Sequence, residues 1–246
     1  MSPLRILFTA TTLTFVLAAP SLAQPCFGLA PTILCAGNPC LGGPGDDVIL
    51  GTPGFDQIDG QGGNDVICAL DGDDHVLGGL GDDVIDAGRG DDTVFGGLGN
   101  DRIFGRFGED RLYGDLFIGV LGGRDSILGG PEDDFIHGGP GNDELFGEDG
   151  NDGIRGGAGD DHIEGGAGDD PRLVGEAGDD DIFGGPGSDA LYGGDGEDEL
   201  RAGDGDDELQ GGNDFDRCDG AAGFDLERLV GGLITCETIN SIEGVI

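Results

Sequence analysis

The 246-residue chain has no tryptophan, two tyrosines, three histidines and only 11 basic residues against 51 acidic ones. Each shortage closes off a class of function. Eleven cations in a chain of net charge −40 cannot neutralise a run of phosphates, so a nucleic-acid partner is excluded. The three histidines, His75, His137 and His162, stand far apart and give little material for a general-base or zinc cluster. Few aromatics combined with high net charge is the usual signature of disorder. Carboxylate repulsion also opposes any compact state unless cations neutralise it. Composition alone therefore describes either a disordered chain or one folded around cations.

A long apolar run lies at the N-terminus, from Ile6 to Ala19, with Arg5 ahead of it and Ser21-Leu22-Ala23 behind. Residues 1–23 read as a secretory signal peptide cleaved before Gln24. Pro20 and the shortness of the run make a transmembrane anchor a poor alternative. The expectation is a secreted, extracellular protein with no membrane span in the mature chain. Six cysteines, none within residues 1–23, fit an oxidising compartment.

What abounds is glycine, 56 residues of it, and it is periodic. From Gly42 the chain falls into nine-residue frames such as Gly78-Gly79-Leu80-Gly81-Asp82-Asp83-Val84-Ile85-Asp86. Eight frames reach Tyr113, and a six-residue insert is placed at 114–119. Six more frames reach Val174, the last of them one residue over length, and a final six end at Arg228. Position six is Asp in all 20 frames; position four is Gly except at Glu132 and Asp214; position eight is Ile, Val or Leu except at Cys218 and Glu227. A repeat of this length cannot bury a hydrophobic face alone, so its copies must stack.

Within a frame, six residues read as a turn and three as a strand. Glycines allow positive φ and close backbone approach, which turns carbonyl groups into a small space. The position-six Asp adds a carboxylate there, often with Asp or Asn before it, as in Asp73-Asp74 and Asn100-Asp101. Sets of six to eight hard oxygen donors are what Ca2+ prefers. In the tripeptide, the middle residue faces inward and its neighbours outward.

The pattern G-G-x-G-x-D-x-U-x over residues 42–228 resembles the RTX family of hemolysin-type calcium-binding nonapeptide repeats. The resemblance implies an all-β fold, a right-handed parallel β-roll (a β-solenoid) with two nonapeptides per coil, about ten coils, and calcium in the turns. It implies that Ca2+ sits between turns two repeats apart, so that Asp47 faces Asp65 and Asp56 faces Asp74. The metal residues it assigns are Asp47, Asp56, Asp65, Asp74, Asp83, Asp92, Asp101, Asp110, Asp143, Asp152, Asp161, Asp180, Asp189, Asp198 and Asp207. Asp125, Asp134, Asp170, Asp216 and Asp225 stand where the pattern is broken or worn and are left out. Inward ladders of Ile49, Ile67, Ile85 and Ile103, and of Ile58, Val76, Val94 and Leu112, would form the core. The chain departs from the family in two ways. The expectation is that no lipase, protease or toxin domain stands beside the repeats and that the export signal is N-terminal rather than C-terminal.

Outside the repeats, residues 24–41 form a cysteine-bearing N-terminal cap and 229–246 a C-terminal cap. Cys218 is expected to pair with Cys236, and Cys26, Cys35, Cys40 and Cys68 to form two bridges in any of three connectivities. Position nine leans aromatic, at Phe95, Phe104, Tyr113, Phe146, Phe183 and Tyr192, with Phe95 and Tyr113 stacked on one side and Phe104 on the other. The leading functional expectation is a secreted, non-catalytic protein that folds on binding multiple Ca2+ ions. The alternatives are an adhesion or matrix module recognising polysaccharide or a cell surface, and an accessory chain of a secreted enzyme.

Overall fold

A computed structural model of the chain describes residues 26–115, 122–221 and 226–227. The expected signal peptide, the C-terminal cap, Cys236 and Asp225 lie outside these residues. Strands numbered along the chain from β1 (Ile33–Leu34) to β22 (Leu226–Glu227) make two eleven-stranded parallel sheets, the odd strands in one and the even in the other. Val84 pairs with Val66 on one side and Arg102 on the other, each eighteen residues away. Two nonapeptides therefore make one coil, and the chain is a parallel β-solenoid of about ten coils.

The strands are longer than the sequence suggested. Most have six residues, as in Val84–Arg89, because the strand runs on through position one and positions two and three pair with the next coil as positions seven to nine do. Only positions four to six are left to turn the corner. Position two makes this possible through its left-handed backbone: Gly88 has φ 115°, and any Cβ there would collide with the Leu70 carbonyl of the coil before.

Position eight of every described repeat points inward. Ile49, Ile67, Ile85, Ile103, Ile127, Leu145 and Ile163 stack along one sheet, and Ile58, Val76, Val94, Leu112, Ile136 and Ile154 along the other, all essentially fully buried. Each such burial contributes about 1.5–3 kcal/mol. The single-file core supports neighbouring coils only, as in other solenoids.

Two segments depart from the regular frame. Gly114 and Asp115 belong to the strand Arg111–Asp115, with Asp115 opposite Gly97, so they fill positions one and two. The repeat resumes at Gly122, which puts the six extra residues after Asp115, at 116–121, and not at 114–119. At the N-terminal end, β1 and Cys40–Leu41 cover the first strand of each sheet, pairing Ile33 with Ile49 and Cys40 with Ile58. Of the three possible connectivities, the structure has Cys26–Cys68 and Cys35–Cys40. Cys218 is fully buried and disulfide-bonded.

Candidate metal centre

The position-six aspartates line up at the two corners of the solenoid. Along one corner the backbone N–H of Asp47 donates to Asp65 Oδ1 at 2.8 Å, that of Asp65 to Asp83 Oδ1, and that of Asp83 to Asp101 Oδ1. The series continues through Asp125, Asp143, Asp161, Asp180 and Asp198 to Asp216. Along the other corner it runs from Asp56 through Asp74, Asp92, Asp110, Asp134, Asp152, Asp170 and Asp189 to Asp207. Each carboxylate thus spends one oxygen fixing the coil that precedes it.

The second oxygen is left over. Oδ2 of every ladder aspartate from Asp65 to Asp198, and of Asp216, is buried and has no hydrogen-bond partner. The surroundings offer acceptors, not donors. Asp83 Oδ2 and the Gly96 carbonyl both crowd the space where a Cβ on Gly78 would begin. Asp110 Oδ2 and Gly129 O do the same at Gly105, Asp152 Oδ2 and Gly165 O at Gly147, and Asp198 Oδ2 and Gly211 O at Gly193. A side chain at position one reaches into the gap between carboxylate and carbonyl, and every described frame has glycine there or, at Ala69, Ala87 and Ala202, nothing larger than a methyl group. A buried oxygen pair without a donor costs several kcal/mol unless a cation or proton joins it.

Burial accordingly raises these carboxyls far above the ordinary carboxylate range, with the ladder N–H groups offsetting part of the effect. Asp74, Asp101, Asp110, Asp170 and Asp180 are pushed up to about 7, and neighbouring carboxylates add to the shift. Asp92, Asp125, Asp134 and Asp161 reach about 8 for the same reasons. Asp83, Asp143, Asp152, Asp189 and Asp198 reach about 6, and Asp65 and Asp216 are raised as well, burial again being the largest cause.

All fifteen aspartates assigned from the sequence lie on the ladders. Asp47 and Asp56, in the first coil, differ from the rest: Gly43 N–H satisfies Asp47 Oδ2, and the Thr52 N–H and hydroxyl satisfy Asp56 Oδ2. Their second oxygens are taken up within the chain. Asp125, Asp134, Asp170 and Asp216, left out of the sequence assignment, have the same Oδ1 bond and the same orphaned Oδ2 as their neighbours. The signal for them was present, since position six is Asp in every frame. The nearby insert, Glu132, Pro171 and Asp214 change the turn without moving the carboxylate off the ladder.

No three His, Cys, Asp or Glu side chains converge as a metal cluster among the described residues. The oxygen-rich gaps combine a carboxylate with backbone carbonyls. His162 faces outward, with Glu164 Oε1 at 3.0 Å and its ring against Phe146 and Phe183. Phe95 and Tyr113 stack on the even sheet with centroids 4.6 Å apart, and Phe104 lies on the odd sheet beside Phe27 and under Arg106. No described helix is long and apolar enough to cross a membrane.

A family model described as the RTX calcium-binding nonapeptide repeat matches the chain over 41–76, 69–103, 86–121, 120–154, 146–170, 172–200 and 192–227. Among solved structures, the chain is similar to a hyperactive, Ca2+-dependent, β-helical antifreeze protein from an Antarctic bacterium. That match has 16% identity and a TM-score of 0.41, and it covers 86% of this chain and 81% of the other. No curated protein matches the chain.

Proposed function

Since the chain belongs to the family of RTX calcium-binding nonapeptide repeat proteins, we propose that it is a secreted, non-catalytic protein that folds when Ca2+ enters its turns. The observation that carries this reading is the row of buried Oδ2 atoms without a donor, of which Asp83, Asp110, Asp152, Asp198 and others lie beside a backbone carbonyl. Asp65, Asp74, Asp83, Asp92, Asp101, Asp110, Asp143, Asp152, Asp161, Asp180, Asp189, Asp198 and Asp207 would hold the ions, together with Asp125, Asp134, Asp170 and Asp216. Position-one carbonyls such as Gly96 O and Gly165 O supply further oxygens. Bound calcium supplies positive charge where this chain has only acceptors, and so offsets a net charge of −40.

The energetics fit a conditional fold. A site with a dissociation constant of about 0.1 mM in about 1 mM free Ca2+ adds roughly 1.4 kcal/mol. About a dozen such sites add some 15 kcal/mol, as much as the whole net stability of an ordinary domain. The experiment is a calcium titration by calorimetry with parallel circular dichroism. Cooperative uptake of about ten or more ions with gain of β structure is expected. Equal β content in EDTA and in millimolar Ca2+ at about pH 7.5 would sink the calcium-gated reading.

The stacked pair Phe95–Tyr113, with His137 edge-on to Tyr113, favours a second reading in which the even sheet meets polysaccharide or a cell surface. Flat rings in a row on a rigid sheet suit the faces of sugars. Retention on matrix polysaccharide that is lost on Phe95→Ala supports it, and an unchanged elution position rejects it.

A further inference from the structure

Asp115 fits neither ladder. It fills position two of its frame, where Thr52 in the first coil, like Asp115, does not turn left-handed, while five other non-glycine residues, Gln61, Leu70, Arg106, Glu148 and Glu176, take φ between 72° and 89°. There the side chain swings outward, and four of those five are exposed while Leu70 is half-buried. Asp115 does not adopt a left-handed backbone and is only 4% exposed. Its carboxylate turns inward.

Both of its oxygens are buried without a hydrogen-bond partner, the only described residue of which that is true. A Cβ on Gly139, in the next coil, would lie 2.9 Å from Asp115 Oδ2. The Pro140 carbonyl and Asp115 Oδ2 together occupy the space a Cβ on Gly122 would need. Asp143, Asp101 and Asp125 are like charges that act on it or feel it, and the Gly123 amide offsets part of the cost of burial. A proton would serve one of the two oxygens and leave the other beside a carbonyl and a carboxylate.

We propose that Asp115, with Pro140 O, holds one calcium ion beyond those of the repeat ladders. The set is a carboxylate with both oxygens unspent and a backbone carbonyl, hard oxygens of the kind Ca2+ takes. The inference rests on the calcium reading above but concerns a position the nonapeptide does not specify. Gly139 is the complementary device, since any side chain there would strike the carboxylate.

The test counts ions on the full chain by native mass spectrometry in saturating calcium. Three variants are compared with the parent: Asp115→Gly, which restores the usual glycine; Asp115→Asn, which keeps the shape; and Asp134→Asn on the opposite ladder. Asp115→Gly and Asp115→Asn are each expected to lose one ion and to keep the parent circular dichroism. Asp134→Asn also loses one. An unchanged count in both Asp115 variants while Asp134→Asn loses an ion overturns this inference and leaves the ladder reading intact. Loss of several ions in both Asp115 variants also overturns it, because the carboxylate would then be supporting the coil and not a separate ion. A parent chain that binds no calcium overturns both.

Discussion

Without metal, the ladders make stability depend on pH in the direction opposite to that of ordinary surface carboxylates. Asp101 titrates near 7 in the folded chain against an ordinary value of 3.8, and burial is the main cause. A folded value above the unfolded one means that the folded state holds the proton longer. The contribution is therefore intact below about pH 3.8 and is lost as pH rises through about 7. At about 1.4 kcal/mol per unit, one such carboxyl costs the folded state about 2 kcal/mol between pH 5.5 and 7.5. Asp74, Asp110, Asp170 and Asp180 share that value. The five act in the same direction, against a net stability of roughly 5–15 kcal/mol for a typical domain. The assay is far-UV circular dichroism of the chelator-treated chain from pH 5.5, safely above the sequence pI of about 4.1, to pH 7.5. Parallel-sheet signal is expected at pH 5.5 and should fade towards pH 7.5, with millimolar Ca2+ restoring it at the upper end. If the metal-free chain were equally folded at both ends, or lost structure on acidification, the assignment of buried, donor-free carboxylates would be wrong.

Single positions offer other checks. Asp152→Asn turns Oδ2 into an amide able to donate to Gly165 O; it should raise metal-free thermal stability by a few degrees and weaken calcium uptake, read from melts with and without chelator. Gly88→Ala should lower the melting temperature of the calcium-loaded chain sharply, because its φ is 115° and the new Cβ strikes Leu70 O. Gly153→Ala, whose Cβ would meet only Phe135 Cδ2 at 3.7 Å, should change it little. Ile103→Ala empties one rung of the core at a cost of about 2–5 kcal/mol. Its effect should stay local, with hydrogen exchange rising in strands Val84–Arg89 and Ser126–Pro131 and leaving Glu199–Asp204 protected.

Most of the coil was legible because three positions carry its physics. Inward aliphatics such as Ile85, turn carboxylates such as Asp83 and glycines such as Gly81 recur at fixed offsets, and stacking at eighteen residues results from them. Strand length was not legible, because the glycines of positions one and two read as turn residues. Position one is Ala87 in one frame, and Ala87 lies buried inside the strand Val84–Arg89; the ladder extends through that position whether or not it is glycine. The worn frames misled in another way. Pro171 and Glu132 alter the backbone beside the aspartate, yet the Oδ1 bond needs only that a carboxylate stand opposite the amide of the preceding coil. Asp115 was hidden because its direction depends on a φ that the repeat pattern alone would have assigned wrongly.

The amide-to-carboxylate series has a direction. The N–H of Asp47 is completed by Asp65, that of Asp65 by Asp83, and so on, always by residues later in the chain. Each coil therefore leaves a socket that only its successor can fill. For a polypeptide made from its N-terminus, the order of synthesis and the order of completion coincide. The Cys26–Cys68 bridge ties the starting segment to the second coil, across 42 residues, and gives that series a fixed first step. Structure laid down in this way advances like a zip with its slider at the newest coil.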